Sequence, residues 1–205
     1  MKRGIFVLMG VKAEILDVLK RNLKGYILIC GAFVAGVALS YILNISSGSE
    51  GEIKLYIEDF LSAVKNYSAD SDKTFSIAFL GYIKVSCILF LMSLSVVGSF
   101  GTLLYVFIKG FSYGIVIISS LYIMGAKALL LFLCLILPHS LVLIPNFLAY
   151  SCYCMKNAYS VSKGIKDIKA HIFMPLLYGV LCVAISSVAA LIQAYFEPVL
   201  TRILI

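Results

Sequence analysis

The chain has 205 residues, of which 62% are hydrophobic and 13% are charged, and its net charge is +7. Soluble domains are about 45–50% apolar and about 25% charged, so this composition excludes a soluble globular domain as well as a disordered chain. The apolar side chains must face lipid, and we predict an all-α integral membrane protein with about five transmembrane helices. The basic residues lie in gaps between apolar runs, which is typical of membrane topology and gives no indication of nucleic-acid binding.

The first 24 residues are predicted to form a cytoplasmic amphipathic helix on the membrane surface. Six basic and two acidic residues give residues 1–24 a net charge of +4. Apolar Val11, Ile15 and Val18 recur within it at helical spacing. The remainder, residues 25–205, is predicted to be a single transmembrane domain.

The first span is predicted at residues 25–44, which is about the 20 residues needed to cross the hydrocarbon core. Within it, Ala32 and Gly36 form a pair of small residues four apart. Such a pair lets a neighbouring helix approach closely.

The only long polar segment follows, at residues 45–75. Six acidic and three basic residues give it a net charge of −3. A second amphipathic helix is predicted at residues 51–66, which either lies on the outer leaflet or packs against a partner. Its apolar face, the candidate partner-binding surface, includes Ile53, Ile57, Phe60 and Val64.

Two spans are predicted between residues 76 and 126, and the sequence offers two positions for the turn between them. One alternative places the turn at Gly98 and Gly101, which gives spans at residues 76–98 and 102–124. Glycines favour a turn because they lack a Cβ atom.

The other alternative places the turn at Lys109, with spans at residues 85–108 and 110–126. It puts Lys84 and Lys109 near the membrane interfaces and avoids an ammonium group at the bilayer centre. The second alternative is therefore favoured, although both give two crossings.

A kinked fourth span is predicted within residues 128–155, where an apolar run contains Pro138, His139, Pro145 and Asn146. Proline removes a backbone donor and clashes with the preceding turn, so the middle of this span is open to local unwinding. We expect His139 to bond a carbonyl that the prolines leave free, and Asn146 to bond a neighbouring helix.

The fifth span is predicted at residues 172–195, after a basic loop at residues 156–171. Four lysines and one aspartate give that loop a net charge of +3. The positive-inside rule places the N-terminus and this loop in the cytoplasm, and residues 45–75 outside. Five crossings satisfy all three assignments and place the C-terminus outside.

One motif has the form of a catalytic site. Gly110, Ser112 and Gly114 match the GxSxG nucleophile elbow, and His139 could serve as a base. The elbow needs a strand-to-helix turn, which this chain is not predicted to have, so packing glycines are the favoured interpretation. We expect no catalytic, cofactor-binding or metal site, because the six cysteines and two histidines lack metal-ligand spacing and no phosphate-binding loop is present.

Several segments resemble the stage II sporulation protein M family. Residues 137–150 read LPHSLVLIPNFLAY and are similar to the family's most recognisable segment. Lys84 stands fourteen residues before Gly98, and Lys109–Gly110 begins a segment similar to the family's Lys-Gly…Gly region. The ending Gln193-Ala-Tyr-Phe-Glu197-Pro198 resembles the family's C-terminal segment, with glutamine where many relatives carry glutamate.

This resemblance implies a non-enzymatic role in engulfment during endospore formation, in the mother-cell septal membrane. The family member anchors and recruits two peptidoglycan-degrading enzymes, the stage II sporulation proteins D and P. The expected partners are thus these hydrolases and membrane lipid, and faces of small residues would permit a homodimer. The candidate contacts are the apolar face of residues 51–66 and, in the C-terminal tail, Glu197 and Pro198.

The alternative function is a transporter or channel subunit. Broken helices at the bilayer midplane form binding sites in transporters, and the segment from Pro138 to Pro145 is such a candidate. Against this alternative, the spans contain no buried acid and the chain has no internal repeat.

Overall fold

The computed structural model describes residues 23–43, 71–124, 137–164 and 168–196. These residues form five α-helices and a closing π-helical turn, with no strand among them, which confirms the all-helical prediction. Residues 1–22 of the predicted surface helix and the whole of the amphipathic helix at residues 51–66 lie outside the described residues, while Leu23 and Lys24 belong to the first membrane helix. The helices are α1 (Leu23–Leu43), α2 (Ser71–Ser93), α3 (Gly98–Met124), α4 (Leu137–Ser162) and α5 (Ile168–Leu191), and the π-helical turn is Ile192–Phe196.

Four of the five helices are long and apolar enough to cross a membrane. They contain apolar stretches of 21–26 residues. At 1.5 Å per residue these are about 32–39 Å long, against a hydrocarbon core of about 30 Å. Large apolar side chains cover their outer surfaces; Ile77, for example, is 73% exposed. The four stretches are Leu23–Leu43, Ser71–Ser93, Gly98–Ile118 and His171–Phe196.

Helix α4 is less apolar because it lies inside the bundle. It packs against α2, α3 and α5, and the start of α1 contacts it at Gly25. Nine of its residues are buried, including His139, Ser151 and Asn157. Polar side chains on a central helix contact protein rather than lipid, so the free-energy cost of placing them in the membrane is lower.

Successive helices run in alternating directions. Gly98 on α3 lies against Ala158 on α4, while Tyr105 of α3 packs edge-on to Phe147 of α4, so these two helices are antiparallel. Helices α1, α3 and α5 begin at one end of the bundle, which we call the lysine end. The opposite end, where α2 begins and the π-helical turn closes the described chain, is called the tail end.

Helices α1 and α3 are parallel and touch through glycines. A Cβ atom at Gly36 would overlap the backbone of Phe107, and one at Gly110 would overlap the Phe33 carbonyl. Gly114 lies equally close to the Ser40 hydroxyl. Gly36 of the small-residue pair predicted on the first span therefore lies in a close contact with α3, and only glycine fits at Gly36 and Gly110.

The turn between α2 and α3 lies at residues 94–97, so the favoured position at Lys109 was wrong. The chain reverses so tightly here that a Cβ atom at Gly98 would overlap the Met92 carbonyl oxygen. Backbone bonds close the turn, with the Gly98 amide donating to the Ser95 carbonyl at 3.0 Å. The glycine alternative, with spans meeting near Gly98, is the better description.

The reason for this error is the position of Lys109. It lies eleven residues into α3, although a lysine at the centre of a membrane helix costs about 2.5–3.5 kcal/mol on insertion scales. The structure offsets this cost with contacts that the sequence does not reveal. The Lys109 ammonium lies 5.8 Å from the centroid of the Tyr105 ring and lines an internal cavity.

Helix α4 is continuous through Pro145, so the local unwinding allowed for the fourth span does not occur. Pro138 is the second residue of α4, where its missing N–H is not needed. A third membrane proline, Pro175, lies inside α5 and is fully buried. We did not single it out from the sequence.

Candidate functional site

The π-helical turn is joined to α2 by two side-chain hydrogen bonds, one at the first turn of α2 and one near its middle. The Tyr195 hydroxyl donates to the Asp72 carboxylate at 2.6 Å, and the Tyr82 hydroxyl donates to the Gln193 side-chain oxygen at 2.9 Å. Asp72 lies in the first turn of α2, where the helix dipole stabilises a negative charge. These bonds hold the start of α2 and the end of the described chain side by side.

The predicted partner-binding residues attach to these two points. Residues 51–66 precede α2 in the chain, and Glu197 and Pro198 directly follow Phe196. Ile53, Ile57, Phe60, Val64, Glu197 and Pro198 all lie outside the described residues.

Sequence reasoning did not find the bonds at the tail end. In the sequence, Asp72 is one of six acidic residues in the polar segment at residues 45–75, and Tyr82 lies in an apolar run. The available signal was the run Gln193-Ala-Tyr195, in which two polar groups interrupt an apolar span.

The four residues predicted at the kink of the fourth span have different structural roles. Pro138 and Pro145 lie within α4, as described above, and His139 is buried beside an internal cavity. Asn146 bonds to α5, because its amide nitrogen donates to the Cys182 carbonyl at 2.8 Å and to the Ser186 hydroxyl at 3.0 Å. Asn146 is thus a hydrogen-bonded link between two central helices.

A second asparagine, which we overlooked, joins three helices at the lysine end. The Asn157 amide nitrogen donates to the Ser93 carbonyl at the end of α2 and to the His171 carbonyl in α5, both at 3.1 Å. The Asn157 side-chain oxygen lies 2.8 Å from Nδ1 of His171. The signal for this site was Pro175, because a proline leaves the carbonyl four residues earlier without its helical donor.

The cavity lies among α2, α3, α4 and the end of α5 and has a volume of about 340 Å³. It is mainly apolar, but several polar groups reach its wall. They are the side chains of Tyr82, Ser86, Lys109, Tyr113, His139, Ser186 and Gln193. Such a mixture of a large apolar wall and a few polar groups is typical of small-molecule sites.

The GxSxG motif is not arranged as a nucleophile elbow. Ser112 is exposed, and its hydroxyl donates to the Ile108 carbonyl of its own helix at 2.9 Å. Gly110 and Gly114 are instead buried against α1. Among the described residues, no group of three histidine, cysteine or acidic side chains could hold a metal ion.

Charge is divided unequally between the two ends of the described bundle. Asp72, the one acidic residue of the described ranges, lies at the tail end. Four of the seven described lysines lie at the lysine end, where Gly25 of α1 lies close to the Lys156 side chain, whereas Lys73 lies at the tail end. The four lysines at the lysine end are Lys24, Lys156, Lys163 and Lys169.

The apolar helices and their exposed surfaces define a multi-pass membrane protein. The sequence model of the family described as Stage II sporulation protein M matches residues 27–198. The chain therefore belongs to the stage II sporulation protein M family, and it is a sporulation-related membrane protein. No curated protein and no solved structure matches the chain.

Proposed function

We propose that this protein is a non-enzymatic membrane scaffold for engulfment during endospore formation. It anchors peptidoglycan-degrading enzymes, the stage II sporulation proteins D and P, and recruits them to the septum. The observation that carries this proposal is the pair of bonds at the tail end, Tyr195 to Asp72 and Tyr82 to Gln193. They join residues that are 123 and 111 positions apart in the chain into one platform.

A platform suits recruitment because both candidate docking segments are attached to it. The segment containing residues 51–66 leads into α2, and the tail containing Glu197 and Pro198 continues from the π-helical turn. Fixing both attachment points lowers the conformational entropy that a partner must overcome when it binds the two segments together.

The charge distribution supports an outward-facing tail end. Basic residues favour the cytoplasmic side of a membrane, and the described lysine cluster lies at the lysine end. The tail end would then face the wall, where peptidoglycan hydrolases act. The predicted localisation, the septal and engulfing membrane of the mother cell, is part of this proposal.

The bundle also has the rigidity that an anchor needs. Asn146 and Asn157 bond carbonyls of neighbouring helices, and the α1–α3 contact leaves no room for a side chain at Gly110. Interhelical hydrogen bonds and close glycine packing both stabilise helix association in lipid. A group bound at one end of the bundle is therefore held in a fixed position relative to the other helices.

Co-purification from sporulating cells tests the proposal. An affinity-tagged full chain should recover both hydrolases, and Ile57→Lys should reduce their recovery at least fivefold without lowering the amount of chain in the membrane. Tyr159→Lys is the matched control, because Tyr159 is an exposed aromatic residue at the lysine end. Recovery of neither hydrolase with the unmodified chain would contradict the scaffold.

The second variant tests the tail. Glu197→Lys combined with Pro198→Ala should also reduce hydrolase recovery, because it changes the segment that continues from the platform. If recovery survives both this variant and Ile57→Lys, the two segments are not the docking surface.

A transporter or channel subunit is the second candidate, and the cavity beside His139 favours it. The continuous α4 removes the broken helix on which that candidate first depended. Chloride and potassium flux through proteoliposomes separates the two functions. A channel predicts flux that His139→Gln changes, whereas a scaffold predicts none above protein-free vesicles.

A further inference from the structure

The cavity among α2, α3, α4 and α5 is elongated along the bundle. Its α2 wall extends from Ile77 to Leu89, which lie twelve positions apart and therefore roughly 18 Å along the helix axis. Toward the tail end it reaches Gln193 of the π-helical turn. Its volume of about 340 Å³ is within the range of ligand sites, and its length suits a linear molecule.

One part of the cavity wall is apolar and another is polar. Val85, Leu89, Leu143 and Phe147 line it with hydrocarbon. The polar side chains include Lys109, Tyr113 and His139 from two different helices. An amphiphile with a charged head and an apolar chain would match both parts of this wall.

Lys109 is the cationic group of the cavity, and the chain supplies no acid near it in sequence. No aspartate or glutamate occurs between Asp72 and Asp167. Asp72 bonds Tyr195 at the end of the bundle, while Lys109 lies eleven residues inside α3 with its ammonium over the Tyr105 ring. A charge in a membrane interior is normally paired, and among the described residues no acid lies beside Lys109.

Lys84 is a useful comparison, because Lys109 faces the cavity and Lys84 does not. It is the other lysine deep within a span, but its side chain is exposed on α2 and does not line the cavity. An exposed lysine can direct its ammonium toward the lipid headgroups. The Lys109 side chain instead lines the cavity between the helices.

We propose that the cavity binds an anionic phospholipid, with the phosphate at Lys109 and an acyl chain along the apolar wall between α2 and α4. The phosphate supplies a negative charge that no described residue places beside Lys109, while the acyl chain lies along the elongated apolar part. This site is independent of the scaffold proposal, since lipid binding and hydrolase recruitment are measured separately.

The test uses the purified full chain in a neutral detergent. Thermal unfolding is followed by circular dichroism with phosphatidylglycerol, with phosphatidylcholine or with inorganic phosphate. Phosphatidylglycerol should raise the Tm saturably, by roughly 5 °C when in excess. Phosphatidylcholine and inorganic phosphate should raise it by less than a third of that shift. An equal shift with phosphatidylcholine or with inorganic phosphate would overturn the proposal.

Two variants locate the site. Lys109→Met should abolish the shift with phosphatidylglycerol, and Lys84→Met, the matched control, should keep it. If Lys109→Met does not fold, Ala78→Leu serves instead, because it fills the cavity while retaining the lysine. Native mass spectrometry should then detect at least fivefold less bound phosphatidylglycerol. A shift or lipid occupancy unchanged in these cavity variants would place the lipid elsewhere and overturn the proposal.

Discussion

The Asn157 side chain and His171 bond each other twice across the α4–α5 interface. The amide nitrogen donates to the His171 backbone carbonyl at 3.1 Å, and the amide oxygen lies 2.8 Å from the imidazole Nδ1. In an ordinary helix that carbonyl would accept from the residue four positions later, which here is Pro175 and has no N–H. Asn157 therefore replaces a backbone donor that the sequence of α5 lacks.

Asn157→Ala should destabilise the protein by about 1–3 kcal/mol, because buried carbonyls of Ser93 and His171 lose their donor. Thermal or denaturant unfolding in detergent measures this loss. The same substitution should cost less in a Pro175→Ala background, because residue 175 then donates to the His171 carbonyl itself. Equal costs in the two backgrounds would contradict the replacement of a backbone donor.

The contrast between Asn146 and Asn157 shows where sequence reasoning works and where it stops. Asn146 stands inside a strongly apolar run, so a helix-to-helix bond was the natural expectation. Asn157 follows Lys156 and was assigned to a basic loop, although α4 continues to Ser162. Local composition cannot reveal that two backbone carbonyls, from the end of α2 and the start of α5, converge on this side chain.

The turn between α2 and α3 shows a similar limit of sequence reasoning for a charged residue. Hydropathy alone makes Lys109 look like an interfacial residue. Tertiary contacts with Tyr105 and an internal cavity allow it to lie within the span instead. The glycines at Gly98 and Gly101 were the better signal, because a tight reversal depends on local sterics that sequence does reveal.

Gly110→Ala should strongly destabilise the bundle. Its methyl group would overlap the Phe33 carbonyl, so α1 and α3 must separate, and we expect a loss of about 2 kcal/mol or more. Gly81→Ala is the matched control, because nothing lies within 4 Å of the added methyl group and alanine favours a helix. The Tm in detergent should fall for Gly110→Ala and stay constant or rise for Gly81→Ala; similar losses would contradict the close α1–α3 contact.

The two ends of the bundle should differ in accessibility from outside the cell. Lys73→Cys at the start of α2 should react with a membrane-impermeant maleimide in intact protoplasts, because the tail end is proposed to face outward. Lys163→Cys at the lysine end should react only after the membrane is permeabilised. The unmodified chain, with its own six cysteines, gives the background labelling. The opposite pattern would reverse the proposed orientation.

The joint variant Tyr82→Phe with Tyr195→Phe should loosen the π-helical turn. Both substitutions keep the ring and remove only the hydroxyl that bonds Gln193 or Asp72. Each lost bond is worth about 1 kcal/mol, so the loss of both should accelerate amide hydrogen exchange at residues 192–196 roughly thirtyfold. Ser187→Ala is the control, because its hydroxyl bonds only within α5. Unchanged exchange would mean that these bonds do not hold the turn.

The central claim, that the tail end holds peptidoglycan hydrolases, is tested most directly by photo-crosslinking in sporulating cells. A benzoyl-phenylalanine replaces Phe196 at the tail end or Tyr159 at the lysine end, two aromatic residues that are 55% and 54% exposed. The account predicts adducts with stage II sporulation protein D or P from position 196 and none from position 159. Hydrolase adducts from position 159, or none from position 196 in cells where both enzymes are present, would contradict it.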